Sequence, residues 1–535
     1  MGEIIQRTAD RPSTAALVPA ALALVGLTCI VKLLSFAEKQ AIAYKFGAAG
    51  DTDAWFIALS VIMTLFLLTR ELIEPAYLPI FMKRLEQGQP QKSWQLFSFM
   101  LTAILCLDLL VAGAVFCSAD TVAAMLGPGL SRQGRVLAAD LIRMSVFAGV
   151  LLAASSLTYI TLNGFKRFAA PAAGDVAQRA VSIGCIFALA SDFGAAALAI
   201  AALCGAAARF GVHLLALRRF PFPRWPSREC VEEIRLLSAL MAPLAVGVLF
   251  AQASELVANY FSSFAGAGAV AARTFARKIV DLPVLLVPYT LSVVAFPHFV
   301  TLINREDRDG LLQLLGNILL GIAFAFSALS IVIMALAEPM VRILFERGAF
   351  DRAATEATAQ ILICYAAGLL AFALEAVLVP VFFSMGDTKM PTLAGIFGVM
   401  IDVVLAALLV GPLGVLGVAV ALAIAKSIKV VVLGVLLRRK LPAVPSASVG
   451  WAALRIATAS VLTAGCALIL TRLWPGPPAS GSLAFQLWYC TLVSVSCGTV
   501  HLTAAWMMRG PEWHLLVRGL TAARRWPARA SVSSK

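Results

Sequence analysis

The chain has 535 residues, of which 61% are hydrophobic and only 13% charged, with a formal net charge of +14 at pH 7. Soluble proteins carry about 25% charged residues, and no globular core has room for this much apolar surface. A soluble enzyme or binding domain is therefore excluded, and lipid is the solvent that accommodates such a chain.

A helix crossing the hydrocarbon core needs about 20 mainly apolar residues. Runs that qualify begin near Ala15, Ala54, Trp94, Leu137, Asp175, Phe193, Leu236, Phe275, Leu311, Thr358, Pro391, Leu413, Val449 and Phe485, which makes fourteen. The expected fold is an all-α integral membrane protein. Arg7 and Arg11 precede the first run, but its apolar stretch passes Leu34 with Lys32 as its one interruption. That is too long for an ordinary signal sequence, so the span is read as retained. The second run meets a polar stretch at residues 70–74, where irregular backbone is expected. Pro283, Pro288 and Pro297 predict a kink in the eighth span.

Basic residues set the orientation. Of the 43 Lys and Arg, 24 fall in the two tails and the even-numbered gaps, against 9 in the odd-numbered gaps. Positive charge marks the cytoplasmic side, so both termini are expected there. The net charge thus sits mainly in loops facing an anionic leaflet, which removes nucleic acid as a partner. The ten cysteines form no CxxC pair and read as small buried hydrophobes, and the four histidines are scattered. With no Walker A, GxSxG or HExxH motif, no catalytic residue, cofactor or metal site is expected, and the chain reads as no enzyme.

The two halves repeat. Phe46-Gly47-Ala48-Ala49-Gly50 is echoed by Phe264-Ala265-Gly266-Ala267-Gly268, and Pro79 and Phe81 recur as Pro297 and Phe299, all at an offset of 218. An offset of 220 relates Gly194 to Gly414 and Arg218-Arg219 to Arg438-Arg439. Six spans separate the copies, so both cross the membrane in one direction, as in transporters built from parallel lobes.

Three stretches resemble a known family: Lys32-Leu33-Leu34 through Phe46-Gly47-Ala48 to Thr52-Asp53-Ala54-Trp55-Phe56; Phe275-Ala276-Arg277-Lys278 with Asp281-Leu282-Pro283; and Leu344-Phe345-Glu346-Arg347-Gly348-Ala349-Phe350, continued by Pro380-Val381-Phe382-Phe383-Ser384 and Asp387-Thr388-Lys389-Met390-Pro391. The chain resembles the lipid II flippases of the MurJ/MviN type, within the multidrug/oligosaccharidyl-lipid/polysaccharide exporter superfamily. The resemblance implies two parallel six-helix lobes around a central cavity, residues 15–230 and 231–440. It assigns residues 441–508 to a two-helix groove for a lipid tail, between short cytoplasmic tails 1–14 and 509–535. It implies location in the bacterial cytoplasmic membrane and alternating-access transport of an undecaprenyl-diphosphate-linked sugar, driven by the membrane potential or an ion gradient. The partners are then that lipid-linked sugar, membrane lipids, and cell-wall or polysaccharide synthesis proteins. The cargo is a lipid II-like peptidoglycan precursor or an exopolysaccharide repeat unit; a cation-coupled multidrug exporter and a non-transporting scaffold are the alternatives.

The cavity charges depart from the family pattern. Lys32 stands for an arginine, Glu38 for a second arginine, Arg277-Lys278 for Asp-Arg, and Ala376, beside Glu375, for a lysine of the tenth span. Ionisable groups within spans cost at least about 2.5 kcal/mol on insertion scales and are functional or paired. Lys32, Arg277, Lys278, Asp53 and Asp281 are the expected cavity residues, the cations binding a diphosphate. Glu38, Lys39, Arg143, Glu255 and Glu375 are the additional candidates, while Arg179, Arg209 and Asp402 read as interhelical pairs.

Overall fold

The structure, a computed structural model, describes residues 14–165, 167, 169–218, 248, 252–441, 446–474 and 482–508. Among these, all regular structure is helical. The first half comprises α1 (Thr14–Phe46), α2 (Gly50–Glu86), α3 (Pro90–Cys117), the short α4 (Ala119–Leu126), α5 (Arg132–Gly164), α6 (Ala169–Phe193) and α7 (Ala196–Leu217). Residues 252–263 form α8. Then come α9 (Ala269–Val284), a π-helical turn (Leu285–Tyr289), α10 (Thr290–Asn304), α11 (Arg308–Ala335), α12 (Ala337–Phe345), α13 (Arg352–Ala367) and α14 (Leu369–Ser384). The chain continues with α15 (Lys389–Leu413), α16 (Val415–Lys440), α17 (Ser446–Leu473) and α18 (Leu483–Met507).

Among the described residues, eleven helical spans are long and apolar enough to cross a membrane, and α13–α14, bent by 48°, makes twelve. The first expected span is the 33-residue α1, and the start of the seventh, at Leu236, lies outside the described residues. Fourteen spans are compatible with this count. The irregular backbone expected at residues 70–74 is not there: α2 runs unbroken, since helical hydrogen bonding is the one local way to satisfy backbone groups in lipid. The proline-rich eighth span departs from α-geometry at the π-turn containing Pro288. Polar side chains fix several helix starts: Ser131, Asp307 and Ser482 accept from the N–H groups of Gly134, Gly310 and Phe485. Asp387 does the same for Met390 at the head of α15 and pairs with Lys440 at 2.5 Å. Both contacts hold its carboxyl below the usual range.

The repeat extends to element boundaries. α3 and α11 both have 28 residues, displaced by 218, and α6 and α15 both have 25, displaced by 220. α5 corresponds at 220 to the bent pair α13–α14, and α4 to α12 at 218. These two short helices, unexpected from hydropathy, bury Ala119 and Ala123, and Ala337, Val341 and Phe345. Phe81 and its mate Phe299 are both fully buried.

Two compact units emerge, one built from described residues up to Thr274 with Arg347–Ala354, the other from Phe275–Glu346 and Thr355 onward. In the first, α5 packs against α2, α3 and α7, and α6 against α7 and α1. Its core gathers Tyr77, Phe81, Trp94, Phe97 and Phe165, with Trp94 stacked on Phe165 at 6.1 Å. In the second, α14 packs on α10, α11 and α16, α15 on α16, and α17 on α11 and α18. The cysteines are not uniformly buried as expected: Cys106, Cys117 and Cys204 lie on exposed faces of apolar helices, where lipid is the natural surrounding, while Cys497 is buried.

Candidate functional site

The most family-like motifs turn out to build a joint. The Thr52 hydroxyl donates to the Gly47 carbonyl at 2.9 Å, closing the α1–α2 turn. Asp53, fully buried, accepts from the Gly268 N–H at 2.6 Å and the Ala271 N–H at 2.7 Å, so its carboxylate caps α9. Ala271 is the position equivalent to Asp53 in the other half, at offset 218. The Ala349 N–H donates to the Tyr44 carbonyl at 2.8 Å. Gly47 and Gly348 have φ of 64°, and a side chain on either would strike a backbone carbonyl of the other segment. Asp53 was expected in the cavity; its two oxygens are instead occupied by this cap.

In the first unit the interior charges cluster around α6. Glu38 of α1 pairs with Arg179. Arg209 of α7, with a side chain 7% exposed, meets Asp175 at 3.2 Å and Gln178 at 3.3 Å. Arg70 and Arg209 lie 5.4 and 5.7 Å from the Tyr159 ring centre. Both Arg70 and Arg179 lie within electrostatic reach of Arg209. Lys32 is half-buried on α1, and the Lys39 ammonium stands 4.5 Å over the Phe56 ring. Arg143 pairs elsewhere, with Asp120 at 2.5 Å and Asp140 at 2.9 Å near the start of α5. Glu255 meets the buried Arg273 at 2.7 Å, which also donates to Asn259.

In the second unit the Arg277 guanidinium pairs with Asp281 at 2.8 Å and covers the Phe372 ring at 4.4 Å. Lys278 is half-buried on the same helix. Glu375 of α14 is gripped by two ammonium groups of α16, Lys426 at 2.7 Å and Lys429 at 2.5 Å. Arg277 lies within electrostatic reach of Lys426, which brings Arg277, Asp281 and Glu375 into one group. Lys426 and Lys429 were not anticipated. Two lysines three apart in the middle of a 26-residue helix whose other charges are confined to its last turn carried the signal, as did the offset of 220 that makes Lys429 the counterpart of Arg209. α14 thus presents Glu375, and the cations that meet it come from α16.

The model of the lipid II flippase MurJ family matches residues 42–489. A probable lipid II flippase MurJ of Rhizobium tropici is 24% identical over 530 residues, covering 94% of this chain and 96% of its own. A lipid II flippase MurJ of Burkholderia cenocepacia is 26% identical over 393 residues, 71% of this chain and 76% of its own. Among solved structures, a lipid II flippase MurJ in an inward closed conformation aligns with a TM-score of 0.73 at 20% identity, over 90% of this chain and 98% of that one. An inward-facing multidrug transporter of the MATE family aligns at 0.64 and 18%, over 78% and 98%. With the family model spanning most of its length, the chain belongs to the lipid II flippase MurJ family.

Proposed function

We propose that this chain carries a polyprenyl-diphosphate-linked glycan of the lipid II kind from the cytoplasmic to the outer leaflet of the bacterial cytoplasmic membrane, by alternating access. The observation that carries the reading is the family match across residues 42–489. The chemistry agrees with it: Lys32, Arg277, Lys278, Lys426 and Lys429 are cations on apolar helices, suited to a diphosphate. The π-turn and the 48° bend are deformable points where helices rock. Depleting the protein in its host is expected to accumulate one lipid-linked glycan on the inner leaflet, measured by its inaccessibility to an impermeant headgroup reagent. Accumulation of none, with unaltered wall synthesis, would contradict the reading.

Both termini are proposed to be cytoplasmic, on the 24-to-9 division of basic residues. Reporter fusions at Lys535 and within residues 127–134 are expected to report opposite sides of the membrane. The same side for both would overturn the fourteen-span topology.

A further inference from the structure

Asp108 is the one acid of α3, whose other charge, Lys92, sits in the first turn. It lies nine residues before Cys117, which places it about 14 Å from the helix end and within the hydrocarbon region. Leu105, Asp108, Ala112 and Val115 share one stripe of the helix at spacings of three and four, and the apolar three pack with Val146 and Val150 of α5. Asp108 is 7% exposed, while Leu107, Leu109 and Leu110 beside it are turned outward.

Its carboxyl therefore sits in an apolar seam. Among the described residues, the polar atom that meets it is the Thr69 hydroxyl of α2, 3.4 Å from each oxygen. None of the charged groups on α2, α4 and α5, the helices packed on α3, reaches it. On α2, Arg70 is turned to the Tyr159 ring at 5.4 Å and Glu71 is exposed. Asp120 of α4 and Asp140 of α5 both pair with Arg143, and Arg132 and Arg135 are exposed in the first turns of α5. An ionised carboxylate here would hold two charged oxygens against one long contact, which burial makes costly. A protonated one is neutral and donates its O–H to Thr69.

The internal repeat shows that the bundle itself does not ask for an acid at this place. At the offset of 218 that relates α3 to α11, Asp108 becomes Phe326, which is buried, and Thr69 becomes Val287. The acid and the hydroxyl are an addition to the first half. A metal cation needs several oxygen ligands, and this pair offers two side chains, so a proton is the ligand that fits. The polar stretch that opens at Arg70 has no turn to make, because α2 runs through it unbroken, and Arg70 and Glu71 directly follow Thr69.

We propose that Asp108 is a proton-binding site whose loading is tied to transport. Its carboxylate takes a proton from hydronium on one side of the membrane and keeps it while packed on α5. It gives the proton to water on the other side when the α2–α3 contact opens toward Arg70 and Glu71. One proton moving inward is thereby exchanged for one lipid moving outward. The proposal rests on the flippase reading for the identity of the cargo.

The test uses the purified full-length protein, with Asp108→Asn and Asp108→Glu beside it. Infrared absorption at neutral pH should show a protonated-carboxyl band in the parental protein that Asp108→Asn lacks and Asp108→Glu shifts. Identical spectra for the three overturn the proton site. Asparagine is neutral like the protonated acid, so that variant should fold with the parental thermal midpoint. In liposomes holding lipid II, with the membrane potential clamped at zero, a difference of one pH unit should concentrate lipid II about tenfold in the leaflet facing the acidic side, the ratio that one-for-one exchange dictates. Asp108→Glu should retain this accumulation and Asp108→Asn should lose it. Equal accumulation by Asp108→Asn, or an even distribution with the parental protein, overturns the coupling. Parental protein that moves no lipid II yet shows the band would sink the lipid II reading and leave the proton site standing.

Discussion

Asp53→Ala is expected to destabilise the protein by about 3 kcal/mol and to reduce the amount recovered folded from the membrane. The carboxylate is fully buried and accepts the N–H groups of Gly268 and Ala271 at 2.6 and 2.7 Å. Bonds to a charged acceptor contribute about 1.5–3 kcal/mol each, and their removal strands two buried donors at the head of α9. Asparagine is no remedy, because its amide nitrogen would face one of those donors. The check is the thermal unfolding midpoint in detergent together with membrane abundance. A variant of parental stability that fails only in transport would show that Asp53 acts on cargo and not as a cap.

This contrast shows what was legible in the sequence. Span positions, the proline-rich break and the duplication follow from hydropathy and from residues at fixed offsets, because lipid enforces helices and a duplication preserves their lengths. The strings around Asp53 and Ala349 identified the family, yet their role as interlocking turns was hidden. A glycine at φ 64° against a distant carbonyl is a tertiary fact that no local pattern encodes. Arg143 and Glu255 looked like candidates equal to Glu375, but Asp120 and Arg273, which pair with them, come from other chain segments whose meeting only the fold decides. Lys426 and Lys429 were readable in principle, since charge inside an apolar helix is costly wherever it occurs. They lie outside the family-like strings.

The second large effect is expected from Lys32→Ala combined with Lys278→Ala: loss of translocation with folded protein retained in the membrane. Both lysines are half-buried on helices that carry the family-like strings, α1 and α9. Losing one charge from a close, partly desolvated contact costs about 2–5 kcal/mol, so the pair together reduces transport by at least about a thousandfold. Lys32→Arg and Lys278→Arg should each be milder, since the charge survives although its donor geometry changes. The helices themselves should survive, because alanine is the best helix former and the lost groups are polar.

The most direct measurement is the leaflet distribution of lipid II in proteoliposomes holding the purified chain, read as the fraction that an external, membrane-impermeant headgroup reagent modifies over time. Lipid II initially confined to the inner leaflet should become reachable with the parental protein, and should stay protected with the Lys32→Ala, Lys278→Ala protein or with empty liposomes. Protection persisting with the parental protein under an imposed membrane potential or ion gradient, or equal exposure by the parental and the doubly substituted protein, would contradict the account.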